Sequence, residues 1–169
     1  LARRAGKVVG RISAQIDRAH LERYDDSTGH FGCLAAEDDP AIFAALFAAA
    51  ESWLRAKGMK HVTGPFSLSV NEEVGLLIHG FDSRPVLMVP YDPPYSGPRV
   101  EACGYVKAKD VFSYDYDVQN APETIGAKLL ARGGLEGRVK VRTANMKMFD
   151  AEVRTLVSIF NDAWSDNWG

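Results

Sequence analysis

Alternating hydrophobic and polar positions mark the first predicted strand, over residues 7–17. Its apolar side chains fall on one face and its polar side chains on the other, a period of two that is typical of a half-buried β-strand. Residues 18–29 are polar and rich in turn-forming side chains, so we predict a turn there. A second strand is predicted over residues 30–36. The apolar face of the first strand consists of Val8, Gly10, Ile12, Ala14 and Ile16.

The clearest pattern is helical and follows the second strand. Apolar residues recur at helical spacing and form one wide, aromatic stripe. Asp39 can cap such a helix, Pro40 suits its first position and Gly58 can end it. We therefore predict a helix from Pro40 to Lys57 that packs across one face of a sheet. The stripe consists of Ile42, Phe43, Leu46, Phe47, Ala50, Trp53 and Leu54.

Shorter elements are predicted along the rest of the chain. Strands are predicted over residues 59–63, 85–89, 105–118 and 139–141, and helices over 98–103, 122–131 and 150–166. This mixture of short strands and helices predicts an α/β protein of the α+β kind, with a mixed, mainly antiparallel sheet and helices on both faces. The last helix carries a second apolar stripe, and a bare stripe of that size favours association. We therefore expect this helix to dock onto the sheet of the first half, either within the chain or swapped between the two chains of a homodimer. That stripe consists of Val153, Leu156, Val157, Phe160 and Trp164.

Composition and charge narrow the class of protein. The 169 residues carry a formal net charge of −2, and no basic run suggests nucleic acid or a membrane surface as partner. No stretch of 18 apolar residues exists, and Cys33 and Cys103 are expected to be free thiols. We expect a cytoplasmic protein. Because the first residue is Leu, we also expect the chain to be an excerpt of a longer one.

Three segments, GHFGCLAAEDD, AAAESWLRAKGMKHVTGPF and VEACGYVKAKDVFSY, together with the element order, resemble the GNAT superfamily of acyl-CoA N-acyltransferases. In that fold a later short helix ends in Gly-Phe or Gly-Tyr, as at Gly104-Tyr105 here. More narrowly, GPFSLSVNEEVGLLIHGFD and SIFNDAWSDNWG resemble uncharacterised bacterial proteins about twice this length with two GNAT-like halves. The resemblance implies a first half over residues 1–118, lacking its first elements, a linker over 119–137 and the start of a second half over 138–169.

The resemblance also implies where a donor would bind. GNAT enzymes hold the pyrophosphate of coenzyme A on an Arg/Gln-x-x-Gly-x-Gly/Ala loop at a helix start, but this chain has carboxylates at residues 37–39. Like charges at contact range repel, so we expect no tight binding of acetyl-CoA and no tightly bound cofactor. Three interpretations remain: the donor is an acylated carrier protein, a second half holds the working site, or this half is structural. The donor-binding positions implied are Leu34, Ala35, Ala36, Ala41 and Ile42.

Acyl transfer to an amine needs a base for the amine proton and a hydrogen-bond donor for the carbonyl oxygen. The Tyr that GNAT enzymes often use corresponds to Val100, and that acid is absent here. The candidate catalytic residues are Glu101, which is next to that position, Tyr95, which flanks a proline-rich crossing over residues 90–98, and Asn71, which follows a strand end. Each also has an ordinary structural interpretation as a surface, packing or turn residue. The four histidines show no metal-ligand spacing, and we predict no metal site.

The predicted function is transfer of an acyl group from a thioester carrier, acyl-CoA or an acylated carrier protein, to a small-molecule amine. The alternative is a non-catalytic GNAT-like module for binding or assembly, since a fold alone does not determine function.

Overall fold

The computed structural model describes residues 1–115 and 142–165, together with residues 117, 119 and 132. The chain divides into two compact units, Leu1–Ser113 and Tyr114–Gly169. Predictions that fall on Tyr116, Val118, 120–131, 133–141 or 166–169 lie outside the described residues. These include the predicted helix over 122–131 and the predicted strand over 139–141.

The first unit is built on a four-stranded sheet with the spatial order β1-β2-β3-β4. The first two pairs are antiparallel and β3 pairs with β4 in parallel, so the predicted mixed, mainly antiparallel sheet is confirmed. The strands are β1 (Ala2–Arg4), β2 (Lys7–Gln15), β3 (Thr28–Ala36) and β4 (His61–Thr63), with a separate hairpin of β5 (Phe66–Ser67) and β6 (Glu73–Val74). The helices of the described residues are α1 (Arg18–Tyr24), α2 (Pro40–Ala56), α3 (Ser96–Ala102), a 3₁₀ turn (Met146–Met148) and α4 (Phe149–Ala163).

Helix α2 forms where the sequence predicts it and packs on one face of the sheet. The Asp39 carboxylate accepts a hydrogen bond of 2.8 Å from the Ala41 N–H, and Pro40 takes the first helical position. Gly10 of β2 permits close packing, because a Cβ there would lie 2.9 Å from side-chain carbons of the helix. The ring of Phe31 in β3 meets Phe47 edge-on, with centroids 5.0 Å apart. The residues that α2 buries are Ile42, Phe43, Leu46, Phe47, Ala50 and Leu54.

Trp53 was predicted to belong to the buried stripe, and this is wrong. The side chain is 43% exposed, and the Lys57 ammonium group lies 5.9 Å from its ring centroid. Trp53 forms one wall of an open apolar groove of about 280 Å³ beside β2. Much of the remaining wall is alanine, and side chains this short cannot reach across to cover an indole. The groove is lined by Leu1, Ala2, Ile12, Ala14, Ala45, Leu46, Ala49, Ala50 and Trp53.

The second face of the sheet carries α1, which was predicted as a turn. The Asp17 carboxylate caps α1 by accepting a 2.9 Å hydrogen bond from the Ala19 N–H. Side chains alternate across a strand, so His30 points away from the face that Phe31 shares with α2. The ring of His20 in α1 meets His30 edge-on at a centroid distance of 5.1 Å. Helices therefore lie on both faces of the sheet, as predicted.

Strand β3 contains a β-bulge, which changes the face of the sheet on which the later side chains of the strand lie. Ser13 of β2 pairs with Gly32 and Arg11 pairs with Ala35, so β3 has one more residue than β2 in this interval. Cys33, inside the interval, adopts the left-handed conformation with a φ of 47°. The extra residue reverses the alternation. As a result Leu34, three positions after Phe31, packs against the same hydrophobic core.

Two predicted strands do not form in the part of the chain that the structure describes. Residues 85–89 make a turn instead, in which the Val89 N–H donates to the Val86 carbonyl at 3.2 Å. Pro85 and Pro90 flank that turn, and neither has an N–H for a strand ladder. Residues 105–115 also adopt no strand; the ring of Tyr105 anchors the segment 4.7 Å from that of Phe47. Alternation indicates which faces a strand would present, but a ladder also needs a neighbouring strand.

In the second unit, α4 forms over Phe149–Ala163, close to the bounds predicted for the last helix. Its apolar stripe is exposed: Phe160 is 56% exposed and stacks on Trp164 at a centroid distance of 5.4 Å. The homodimer suggested by this stripe stays a prediction. None of the described helices combines the length and apolar character needed to cross a membrane.

Candidate functional site

The predicted donor-binding segment lies where β3 ends and α2 begins, and its carboxylates already have partners. Asp39 caps the first turn of α2 and also pairs with the Arg4 guanidinium. Asp38 pairs with Arg99 of α3, with a distance of 2.8 Å between Oδ1 and Nε. The hydrogen bond from Arg4 is the main cause that lowers the pKa of Asp39. The start of α2 is therefore occupied by a carboxylate of the chain itself.

Of the three predicted catalytic residues, Tyr95 is the one that contacts this segment. Its hydroxyl donates a 2.8 Å hydrogen bond to the Ala36 carbonyl, and its ring meets Phe43 edge-on at 6.4 Å. Tyr95 thus ties the start of α3 to the end of β3. Among the predicted donor-binding positions, Leu34 and Ala36 pack against the core, Ile42 is buried, and Ala35 and Ala41 are exposed.

Glu101 and Asn71 lie at the surface. Glu101 is exposed on α3, where its backbone carbonyl accepts a 2.9 Å hydrogen bond from the Gly104 N–H. Asn71 is exposed in the loop between β5 and β6, where its backbone N–H donates to Ser69 Oγ at 3.3 Å. A catalytic role for either residue stays a prediction.

The sequence did not reveal a polar cluster on the second face of the sheet, which we call the histidine array: His20, Asp26, His30 and Thr63. His20 Nε2 lies 3.1 Å and 3.3 Å from the two carboxylate oxygens of Asp26. His30 Nδ1 lies 2.9 Å from Thr63 Oγ1 on β4. The two imidazole rings meet edge-on, and the Phe66 ring lies 4.9 Å from that of His30. Helix α1, two strands and the β5–β6 hairpin all contribute to this arrangement.

Electrostatics distinguish the two imidazoles. Burial lowers the pKa of His30, and the charge of His20 lowers it further, so His30 is neutral at pH 7. Desolvation opposes ionisation of Asp26, but hydrogen bonds from Thr28 and His20 outweigh it and lower its pKa to about 2. Asp26 is therefore an ionised acceptor beside His20. The described residues hold no group of three His, Cys, Asp or Glu side chains arranged for a metal ion.

The array was missed because α1 was missed. His20 and His30 are ten positions apart, and no periodic pattern joins a turn residue to a strand residue. The available signal was Asp17, a capping side chain directly before RAHLERY, a segment with strong helix formers. An N-cap at Asp17 predicts a helix over residues 18–24, between two antiparallel strands. Such a helix would place His20 on one face of the sheet.

Strands β3 and β4 part immediately after the array. Their last pair is His30 with Thr63, and β3 continues alone to Ala36. The chain after Thr63 crosses β3 at Gly32, where a Cβ would lie 1.7 Å from the Phe66 carbonyl oxygen. Ser67 Oγ then accepts a 3.4 Å hydrogen bond from the Cys33 N–H. Beyond Cys33, β4 no longer accompanies the outer edge of β3.

Two curated proteins match the chain over its whole length. It is 53% identical over 170 residues to the bacterial ceramide synthase of Caulobacter vibrioides, and the match covers 44% of that protein. It is 43% identical over 169 residues to the protein YghO of Escherichia coli, and the match covers 43% of that protein. The chain thus spans less than half the length of these relatives. No family model and no solved structure matches the chain.

These matches confirm part of the predicted resemblance. Bacterial homologues more than twice as long as this chain exist, as the narrower resemblance implied. Membership of the GNAT superfamily has no support from a matching family model or solved structure and stays a prediction. The division at residues 118 and 138 into two halves likewise stays a prediction.

Proposed function

We propose that this chain serves an N-acyltransferase reaction in which an acyl group passes from a thioester to the amino group of a long-chain base. The observation that carries the proposal is the 53% identity, across the whole chain, to a protein named bacterial ceramide synthase. A ceramide is the amide of a fatty acid and a long-chain amino alcohol. The relative's name therefore specifies the same bond, an amide made from an acyl group and an amine, that the sequence predicted.

The reaction sets two demands on the protein. The amine nitrogen attacks the thioester carbonyl carbon, a C–N bond forms, the C–S bond breaks and a thiol leaves. A base must take the amine proton, and the thioester arm must be held in an extended form near that base. We place the arm at the outer edge of β3 beyond its last pair with β4, because an extended chain can add to a strand edge through backbone hydrogen bonds. Two backbone groups of this segment already have partners: the Cys33 N–H donates to Ser67, and the Ala36 carbonyl accepts from Tyr95.

The start of α2 is not where we place the donor's phosphates. Helix N-termini bind phosphate through free backbone N–H groups, and here the Asp39 carboxylate already accepts from Ala41. In both acyl-CoA and an acylated carrier protein, we therefore expect the phosphate groups to be bound by other residues. This leaves the β3 edge as the part of the predicted donor site that the proposal retains.

The test is amide formation by the intact natural protein. Purified enzyme is incubated with a long-chain base and either a long-chain acyl-CoA or the same acyl group on a carrier protein. Mass spectrometry then measures the amide, and a thiol reagent measures the thiol released. We expect one thiol per amide with at least one donor, and none with an N-acetylated base as control acceptor. Absence of amide with both donors would refute the proposal.

The second candidate function is a non-catalytic module, and the occupied start of α2 favours it. Under this alternative the intact protein makes the amide, but the chemistry lies outside this chain. Substitutions at the histidine array would then change thermal stability without changing kcat per folded molecule. The two candidates are thus distinguished by kinetics of folded variants rather than by the fold.

A further inference from the structure

The histidine array has the parts of a proton acceptor, and the mechanism above leaves the base unassigned. We propose that His20 is the catalytic base that takes the amine proton, and that Asp26 and His30 position it. This assignment rests on the proposed N-acyl transfer. It places the catalytic base within this chain, whereas the non-catalytic alternative places the chemistry outside it.

Asp26 determines which nitrogen of His20 is available. An ionised carboxylate only accepts hydrogen bonds, so the nitrogen facing it, Nε2, carries a hydrogen. In the neutral ring Nδ1 then holds the lone pair. Asp26 is itself fixed, because the Thr28 N–H donates to its Oδ1 at 2.9 Å. The side chain of His20 is 17% exposed, so a substrate can approach the ring from solvent.

His30 fixes the second side of His20 without competing for the proton. It is 6% exposed, and its Nδ1 pairs with the hydroxyl of Thr63. A buried, neutral ring gives His20 an edge-on partner, and its low basicity keeps a second cation from forming about 5 Å away. His20 alone, of the two rings, combines a carboxylate partner with contact to solvent.

The array also lies close to the proposed position of the donor. His30 is in the last β3–β4 pair, and Cys33 begins the edge of β3 that β4 no longer accompanies. They are three positions apart along the strand, roughly 10 Å at the rise of an extended strand. An amine bound between this edge and α1 would thus lie between a thioester on β3 and the ring of His20.

In the proposed step the amine proton passes to His20 and then to the leaving thiolate. The acceptor arrives as a neutral amine, and its nitrogen attacks the thioester carbon while Nδ1 of His20 removes one proton from that nitrogen. The C–S bond breaks and the thiolate leaves with the bonding pair. The imidazolium returns the proton to the thiolate, which gives an amide, a thiol and a neutral imidazole, without any oxidant or further reactant. Asp26 stabilises the transient imidazolium through its negative charge.

Several groups face the array and contribute to its pH dependence. Asp17 lies near enough to act on His30 through its charge, and the Tyr24 ring lies 4.7 Å from that of His20. Arg23 lies over Tyr24, with its guanidinium carbon 5.5 Å from the ring centroid. The charged and titratable groups that contact the array or act on it include Asp17, His20, Arg23, Tyr24, Asp26 and His30.

The test compares His20→Gln and Asp26→Asn with His61→Gln in the intact protein, with kcat for amide formation measured from pH 6 to 9. Gln keeps an N–H for Asp26 but accepts no proton. His61 is an exposed histidine of β4 and provides the matched control. We expect His20→Gln to lower kcat about 100-fold or more and to abolish the acid limb of the profile. Asp26→Asn should move that limb to lower pH, and His61→Gln should match the wild type.

Three results would overturn the assignment, and they are separable. If the wild type makes no amide from either donor, the proposed N-acyl transfer fails and the base assignment fails with it. If the wild type is active and His20→Gln, folded by circular dichroism, keeps its kcat and profile, the base assignment alone fails. If His20→Gln does not fold, Asp26→Asn decides, because an unmoved acid limb in that variant contradicts the assignment whatever its stability.

Discussion

Phe47→Ala tests whether the α2–β3 contact holds the first unit together. The side chain is 2% exposed and its ring packs against Phe31 and Tyr105 at centroid distances of 5.0 and 4.7 Å. Removing a buried Phe leaves a cavity as well as losing transfer free energy, so we expect a loss of about 3–5 kcal/mol. At about 2–4 °C per kcal/mol, the melting temperature should fall by roughly 6–20 °C. Thermal unfolding followed by circular dichroism measures it.

Trp53→Ala is the matched control on the same helix. Trp is the larger side chain, so a count of apolar atoms would give it the greater effect. Its 43% exposure and its position on the wall of an open groove indicate the opposite order. We expect a loss of about 1–2 kcal/mol, since partial burial scales down the transfer free energy. A Trp53→Ala effect equal to or above that of Phe47→Ala would refute the placement of the core.

Three further predictions concern the sheet and its polar contacts. Because the pKa of His30 is lowered in the folded state from an ordinary value of 6.5, the unfolded chain binds more protons below that pH. The contribution of His30 to the free energy of unfolding should therefore be constant above pH 6.5 and decrease below it. His30→Gln should remove that decrease, as measured by urea unfolding at several pH values. Asp39→Ala should lower the melting temperature because the α2 cap is lost, whereas Asp39→Ser should keep most of the wild-type value, since Ser is also a good N-cap residue. Gly32→Ala should destabilise by more than Gly58→Ala, because a Cβ at Gly32 would lie 1.7 Å from the Phe66 carbonyl oxygen. At Gly58 no atom lies within 4 Å of a Cβ, and the cost is limited to its left-handed φ of 88°, so equal melting temperatures would contradict the strand crossing.

Much of the first unit could be predicted from the sequence. Strand β2 and helix α2 have strong periods, and Asp39 with Pro40 marks the helix start without tertiary information. Exposure of Trp53 could not be predicted in this way, because its position on the stripe is right and only the size of the opposing side chains decides burial. Hydrophobic periodicity along the sequence predicts the face on which a side chain lies, but it does not predict which side chains pack against it.

The candidate site was harder to predict for the same reason. Tyr95 was selected for its place in a proline-rich crossing, and its contact with Ala36 depends on how that crossing folds back on β3. The histidine array needs α1, the parallel β3–β4 pair and the β5–β6 hairpin at once. No spacing rule joins residues 20, 30 and 63 before that topology exists, so their histidines and threonine give no motif.

The expectation that no coenzyme A phosphate binds beside the carboxylates at residues 37–39 stays a prediction, but the structure changes its physical reason. The sequence argued that these charges repel a pyrophosphate. In the folded chain Asp38 pairs with Arg99 and Asp39 with Arg4, so much of that repulsion is neutralised. What opposes a phosphate at α2 is occupancy, since an incoming anion must displace Asp39 from the Ala41 N–H and also break its pair with Arg4. A buried or bound anion gains little where an equivalent anion already holds the same donors. Asp39 therefore occupies the start of α2. In the proposed function the donor lies instead along the edge of β3 beyond the last β3–β4 pair, where the Ala36 carbonyl already accepts from Tyr95 and the Cys33 N–H already donates to Ser67.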